Sequence, residues 1–218
     1  QQYLQETEAE MLGLLERIVA INSHTPNKQG VDAVGQVLGS VMKKLGFSLR
    51  VDRQSEYGDN LVAETPACAG SDKRILLVGH MDTVFPDDGS FDAFHLVEDR
   101  ATGPGVIDMK GGLVAGIWAL KALDHAGLLH DLPVAFLFNS DEEIGSPGSK
   151  ALVIEEAQKA AFAFVFECSG MHGEVVTARK GKTTFLLDFT SSGGHAGNLE
   201  GEKSSAILEL ARKTIALE

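Results

Sequence analysis

A histidine and an aspartate lie two positions apart where an apolar stretch ends, and both are residue types that bind metals or transfer protons. The stretch runs from Ile75 to Gly79 and is followed by His80 and Asp82. Side chains alternate along a strand, so His80 and Asp82 are expected to point in the same direction. An apolar run without polar alternation is typical of a strand in a parallel sheet, where ligands bind beyond the carboxyl ends of the strands. The simpler alternative is a histidine that caps the strand and is held by a neighbouring carboxylate.

Acidic residues occur at similar positions in three further loops. Two of these loops follow apolar runs of strand length, Val134 to Phe138 and Ala161 to Phe166, and the third is the glycine-rich segment 103–112. The acids are Asp108, Glu142, Glu143 and Glu167. For each acid alone, the alternative is that it complements the dipole at the start of a helix. Together on one edge of a sheet, however, these carboxylates would repel one another unless a cation neutralised them.

The residue types favour zinc or a similar divalent ion. Histidine, aspartate and glutamate without a thiolate suit a catalytic zinc, which keeps three protein ligands and an open position. A site with two ions needs a carboxylate shared between them, and Asp108, isolated on its glycine loop, is the candidate for that bridge. His80, Asp108 and Glu167 would provide the three protein ligands of one ion. Asp108 and Glu143 would bind the second ion, which would then lack one protein ligand.

Two further acids are predicted to assist without binding the ions. Glu142 is adjacent to Glu143 and cannot point in the same direction, so it is the candidate general base for the attacking water. Asp82 would hold His80 in one tautomer, as the partners of metal-binding histidines commonly do. Glu142 and Asp82 are therefore predicted to be catalytic residues.

The elements that position these residues alternate between helices and strands. Apolar spacing predicts helices at 8–20, 31–45, 111–126 and 149–159, and strands at 47–51, 60–63, 74–79, 134–138 and 161–166. This alternation predicts an α/β domain with a largely parallel sheet flanked by helices, in which the apolar runs are buried strands. Beyond residue 181 the sequence predicts one more strand, 183–190, and a helix, 204–217.

Composition argues against several classes of protein. The 218 residues carry a formal charge of −12 at pH 7, whereas nucleic-acid binders gather Lys and Arg on one face. No apolar run approaches the roughly 18 residues of a membrane-spanning helix, so no membrane partner is expected. Two cysteines, Cys68 and Cys168, are too few for a disulfide framework. The sequence given starts at Gln1 without a charged and apolar leader, so any signal peptide is expected to have been removed or never to have existed, and cytoplasmic and periplasmic locations both stay open.

Four motifs together resemble the metal-site motifs of the M20 metallopeptidases, a family of dinuclear zinc carboxypeptidases, aminoacylases and deacylases. They are HMDTV at 80–84, GPGVIDMKGG at 103–112, DEEIGS at 141–146 and FE at 166–167. The order and spacing also agree, and the match covers nearly the whole chain. The GPG triplet and the phrase LFNSDEE at 137–143 are most similar to the glutamate carboxypeptidase branch, which includes carboxypeptidase G2.

The resemblance implies two Zn²⁺ ions in each complete subunit, for which Co²⁺ or Mn²⁺ can substitute. It assigns Asp108 as the bridge, His80 and Glu167 to one ion, Glu143 to the other, and Glu142 as the general base. It also implies a cis peptide bond between Asp108 and the residue that follows it.

The C-terminal part resembles the start of the family's lid or dimerisation domain. In that family the histidine of a His-Ala-Gly motif reaches into the partner subunit's active site and steadies the oxyanion, and His195 takes this position. The resemblance therefore implies a homodimer that forms through the lid. It divides the chain into an incomplete catalytic domain, 1–180, and the beginning of a lid domain, 181–218. The family's last zinc-binding histidine and its substrate-binding arginine are expected to lie outside this sequence.

The activity that follows from the resemblance is zinc-dependent hydrolysis of an amide or peptide bond next to a carboxylate-bearing residue, as in a glutamate carboxypeptidase. The substrate would be a small peptide or an N-acyl amino acid. One alternative is an N-acyl amino acid deacylase of the acetylornithine deacetylase or succinyl-diaminopimelate desuccinylase type. A second alternative is a non-catalytic binding module. The 218 residues alone are expected to be inactive, since part of the site is missing.

Overall fold

The computed structural model describes residues 1–89, 93–170, 173–178, 180–181, 183–192 and 205–217. The chain divides into two compact units, Gln1–Glu174 and Val175–Glu218, and each unit is described by itself. The expected division into a catalytic part, 1–180, and the start of a lid, 181–218, stays a prediction, because compactness alone does not assign a role to either unit.

The first unit is built on a mixed sheet. Its strands are β1 (Ser48–Asp52), β2 (Asn60–Glu64), β3 (Arg74–His80), β4 (His95–Val97), β5 (Arg100–Thr102), β6 (Val134–Asn139) and β7 (Ala160–Val165). Strands β4 and β5 pair with each other, and the other five form one sheet in the order β1-β2-β6-β3-β7. Strand β3 is parallel to both of its neighbours, whereas β2 is antiparallel to β1 and β6. The loop from β1 to β2 is too short for a helical crossover, so these two strands pair antiparallel.

Helices flank this sheet. They are α1 (Gln2–Glu6), α2 (Glu8–Val19), α3 (Lys28–Lys44), α4 (Gly111–His125) and α5 (Lys150–Gln158). Helices α2, α3 and α4 bury apolar side chains against one face of the sheet, while Leu152 of α5 packs on the other face. In β6, Phe136 and Phe138 contact the first cluster and Ala135 and Leu137 the second, so this strand is buried on both faces. The predicted α/β class with flanking helices is confirmed.

Strand β7 differs from its prediction as a buried strand. It lies at the edge of the sheet, and Phe162 and Phe164 are 67% and 55% exposed. Within the described residues β7 pairs only with β3, and α5 covers it sparsely. An apolar run shows that a strand is suited to burial, but whether a neighbour covers it depends on the tertiary structure.

The second unit contains α6 (Ala206–Leu217), which confirms the helix predicted at 204–217. The strand predicted at 183–190 is wrong for the residues that the structure describes there, since they form no strand. Phe185 and Leu186 in this stretch are exposed, and a strand needs a partner that accepts its backbone hydrogen bonds. Among the described residues of both units, no helix is long and apolar enough to cross a membrane.

A buried carboxylate ties the amino end of β3 to α5 and β1. The side chain of Glu156 is fully buried and lies 2.5 Å from Arg50 Nη2, 2.8 Å from Lys159 Nζ and 3.6 Å from Arg74 Nη1. Arg74 also pairs with Glu64 of β2. Breaking a buried pair by removing one partner leaves uncompensated charge, which is costly in the protein interior.

We expect Glu156→Ala to lower the free energy of unfolding by about 3 kcal/mol, because three cations lose their shared buried partner. Urea denaturation followed by circular dichroism measures this change. The matched control is Glu155→Ala: Glu155 contacts Arg50 and Lys159 as well, but it is half exposed. Its loss is expected to cost less than about 1 kcal/mol, and equal effects of the two changes would contradict the interpretation.

Candidate metal centre

The carboxyl ends of three parallel strands place the predicted site residues side by side. His80 ends β3 and is in register with Asn139, the last residue of β6. On the other side of β3, Val78 is in register with Val165, two residues before Glu167. The first turn of α4 packs against this strand end, where an added Cβ on Gly112 would lie 1.9 Å from the Phe166 carbonyl oxygen. A glycine is therefore needed where α4 passes the end of β7.

His80 is buried, and its two ring nitrogens face different partners. Nδ1 lies 3.0 Å from the carbonyl oxygen of Asp82 and 3.3 Å from its carboxylate. Nε2 lies 3.0 Å from Asp108 Oδ1, 3.5 Å from Glu167 Oε1 and 3.9 Å from Glu142 Oε2. Because a carbonyl oxygen only accepts, Nδ1 carries a proton that it donates to Asp82. Nε2 is therefore the nitrogen directed at the acids.

The glycine loop delivers Asp108 through an irregular turn. Gly105 adopts a φ of 71°, and residues Val106–Lys110 form a kinked turn that runs into α4 and is non-helical at Asp108 and Met109. The Asp108–Met109 peptide bond is cis, which confirms the expectation from the family resemblance. Met109 is fully buried, and its sulfur accepts a hydrogen bond from the His80 backbone N–H. The loop and the end of β3 are thus joined directly beside the acids.

Glu142 and Glu143 begin a short helical turn, Glu142–Ile144, that follows β6. Their backbone N–H groups donate to the carboxylate of Asp82, Glu142 to Oδ1 at 3.2 Å and Glu143 to Oδ2 at 3.3 Å. On the other side, Asp141 accepts the backbone N–H groups of Gly148 and Ser149. Hydrogen bonds at both ends therefore fix the turn that carries the two glutamates.

The structure brings five predicted site residues within the reach of metal ions. Ligand atoms of His80, Glu142 and Glu167 lie within 4.8 Å of one another, and so do those of His80, Asp108 and Glu143. One imidazole nitrogen and several carboxylate oxygens form a donor set that suits zinc and similar divalent ions. The predicted distribution of these ligands between two ions stays a prediction. His195 lies outside the described residues.

The acids change the protonation of their neighbours. Burial disfavours the imidazolium form of His80, but the hydrogen bond and charge of Asp82, with the charges of Glu167 and Glu142, raise its pKa to about 9. Burial and the negative charge of Asp108 raise the pKa of Glu143 to about 7. The raised pKa of His80 follows from the surrounding negative charge, whereas the raised pKa of Glu143 follows first from burial and then from that charge. A bound cation would offset the negative charge.

Two buried polar residues were missed by the sequence analysis, one that contacts a site residue and one that follows Asp108 by two positions. Thr25, in the loop after α2, donates its hydroxyl to Asp82 Oδ2 at 2.7 Å. Lys110 is fully buried and donates to the Ile21 carbonyl oxygen at 3.1 Å, and burial lowers its pKa to about 8. The position of Lys110 within the DMKGG phrase was a usable signal, whereas nothing in the local sequence links Thr25 to a residue 57 positions away.

A cluster of one histidine and four acids at the carboxyl edge of an α/β sheet is a donor set that could hold metal ions. The model of Peptidase family M20/M25/M40 matches residues 76–215, and the chain belongs to this family. The predicted family is thus confirmed.

Named relatives fall into two activity classes. The chain is 34% identical over 187 residues to carboxypeptidase G2 of Pseudomonas sp. (strain RS-16), covering 84% of this chain and 45% of that protein. It is 30% identical over 193 residues to acetylornithine deacetylase of Proteus mirabilis (strain HI4320), covering 86% of this chain and 48% of that protein. The chain therefore spans about half the length of the curated relatives it matches.

A solved structure supports the fold. An M20 family metallo-carboxypeptidase of Sulfolobus solfataricus superposes with a TM-score of 0.60 at 22% identity, covering 72% of this chain and 37% of that chain. This likeness concerns the arrangement of the sheet and its helices. It agrees with the α/β class that the sequence predicted.

We expect the zinc affinity of the chain to rise as the pH is raised from 6 towards 9. Metal ligands must be deprotonated, and pKa values of about 9 for His80 and about 7 for Glu143 mean that protons compete with zinc at lower pH. For each proton that competes with zinc, the zinc affinity rises by up to about tenfold per pH unit. Calorimetric titration in buffers of different ionisation enthalpy measures both the affinity and the protons released.

His80→Ala should abolish most of this pH dependence together with tight binding. The control is His95→Ala, because His95 is an exposed histidine on the separate hairpin. That variant is expected to bind zinc as the parent chain does. An affinity that does not change with pH would show that His80 is not a ligand.

Proposed function

We propose that the complete protein is a zinc-dependent hydrolase of an amide or peptide bond next to a carboxylate-bearing residue, of the glutamate carboxypeptidase type. The observation that carries this proposal is the position of His80 Nε2, which faces Asp108 and Glu167 while Asp82 holds the opposite nitrogen. The similarity to carboxypeptidase G2 over most of the chain supports the same choice of substrate class.

Four residues would hold the metal. Asp108 would bridge two zinc ions, His80 and Glu167 would bind one of them, and Glu143 would bind the other. Zinc bound by these residues would act as a Lewis acid and would lower the pKa of a water molecule bound to it. The high pKa of Glu143 in the isolated acid cluster fits the role of a ligand, because its causes are burial and repulsion that positive charge would offset.

Glu142 is the proposed general base. Its side chain is 49% exposed, so substrate and water can reach it, and its Oε2 lies 3.9 Å from the imidazole of His80. The hydrogen bond from its backbone N–H to Asp82 sets the position from which its carboxylate takes a proton from water. The same carboxyl group would then return the proton to the leaving nitrogen.

A second subunit would supply the remaining catalytic group. His195 of a partner copy would stabilise the oxyanion that forms as the amide carbon becomes tetrahedral, as the family resemblance implies. The protein would accordingly be a homodimer that forms through the part beyond residue 181. For this reason the activity is proposed for the complete protein and not for residues 1–218 alone.

A deacylase of N-acyl amino acids is the second candidate. The 30% identity to acetylornithine deacetylase favours it, and the same acids and histidine would serve both reactions. A substrate panel separates the two activities: peptides with C-terminal glutamate on one side, N-acetyl and N-succinyl amino acids on the other. Zinc binding without turnover of any member would favour the non-catalytic binding module instead.

We expect Glu142→Gln, in a chain long enough to complete the site, to retain its metal and lose at least ~10² in kcat, since a glutamine cannot accept the proton. Metal content by atomic emission and steady-state kinetics measure the two effects. Glu155→Gln, which changes a half-exposed acid of α5, is the control and should leave kcat unchanged. Near-normal turnover of Glu142→Gln would show that another group is the base.

A further inference from the structure

We propose that Thr25 is a positioning residue for the metal centre, and that it acts through the carboxylate of Asp82. The inference concerns how the chain holds His80 and the Glu142–Glu143 turn. It rests on the proposed function only for its effect on zinc binding, because the hydrogen bonds that carry it belong to the protein itself.

The hydroxyl of Thr25 is held in place by the backbone on either side of it. Thr25 is buried, and its N–H donates to the Thr83 carbonyl oxygen at 3.1 Å. The N–H of Thr83 donates in turn to the Ser23 carbonyl oxygen at 2.9 Å. These two bonds pair the loop after α2 with the residue that follows Asp82. The 2.7 Å hydrogen bond from Thr25 Oγ1 to Asp82 Oδ2 therefore joins two segments whose backbones are already in register.

The Asp82 carboxylate is fully buried, and its donors come from three parts of the chain. Oδ1 accepts the N–H of Glu142 and lies 3.3 Å from His80 Nδ1, while Oδ2 accepts the N–H of Glu143 and the hydroxyl of Thr25. The two peptide contacts are long, at 3.2 and 3.3 Å, whereas the Thr25 contact is short. The threonine hydroxyl is thus the best-formed of these bonds and sets the rotation of the carboxylate.

Rotation of this carboxylate would move several site residues together. Each of its oxygens binds a different peptide N–H of the glutamate turn, so a turn of the carboxylate shifts Glu142 and Glu143 in opposite senses. The same rotation changes the contact with His80 Nδ1. Groups that orient metal ligands in this way typically affect metal affinity by 10- to 100-fold.

Three variants of the 218-residue chain test the proposal. Thr25→Val keeps the shape and removes the donor, and Thr25→Ser restores the donor in a smaller side chain. Ser23→Ala is the matched control, because the Ser23 hydroxyl is also buried in the same loop and makes no hydrogen bond to any residue that the structure describes. Two readouts are used: amide hydrogen exchange by NMR without metal, and zinc affinity by calorimetry.

We expect Thr25→Val to speed exchange of the Glu142 and Glu143 amides about tenfold relative to those of Phe136 and Leu137 in β6, and to weaken zinc binding about tenfold. Thr25→Ser should recover most of both effects, and Ser23→Ala should show neither. Faster exchange throughout the sheet would overturn the proposal, since it would indicate general destabilisation. The proposal would also be overturned if Thr25→Val, like Ser23→Ala, changed neither the amide exchange of the turn nor the zinc affinity.

The two proposals fail in different ways. Absence of zinc binding by the folded parent chain would contradict the proposed metal centre, and the exchange data would still decide the role of Thr25. Conversely, normal zinc binding by Thr25→Val with unchanged exchange of the Glu142 and Glu143 amides would contradict the positioning role of Thr25. The proposed metal centre would be unaffected by that result.

Discussion

Crowding of negative charge at one edge of the sheet is the constraint on which the rest of the structure depends. Carboxylates from four separate loops meet around a single imidazole, and their repulsion is strongest where burial keeps water away. The backbone must therefore hold each acid in place, and a cation bound at the site would offset the repulsion. Burial disfavours the charged imidazole of His80, but the surrounding carboxylates raise its pKa, and burial together with the charge of Asp108 raises the pKa of Glu143.

The backbone meets this constraint by placing the acids at the ends of well-packed elements. Strand β6 is buried on both faces, so the turn that follows it starts from a fixed point. Close packing at Gly79, where an added Cβ would lie 2.4 Å from Leu113, sets the distance between β3 and α4. Asp82 then connects the end of β3 with the glutamate turn. Precision at the site is therefore a property of the core as much as of the polar residues.

Much of this could be predicted from the sequence, because helices, buried strands and strand-end acids have local signals. Helical spacing located α2 to α5 within a few residues, and the motif resemblance supplied the cis bond after Asp108. Contacts between distant segments had no such signal. Three features depend on which segments meet in three dimensions, and apolar patterning does not encode that. They are the exposed faces of β7, the lack of strand pairing of 183–190 within the described part of the chain, and the bond from Thr25 to Asp82.

The edge position of β7 favours self-association of the protein at high concentration. Among the residues that the structure describes, β7 pairs on one side only, carries no charged side chain and exposes phenylalanines, so its other side offers backbone groups to a similar strand, including that of a second copy. Self-association through this edge would be a concentration-dependent equilibrium that competes with the monomer. Apparent stability and ligand affinity of the 218-residue chain would then vary with protein concentration, and dilute samples would report the behaviour of the single chain.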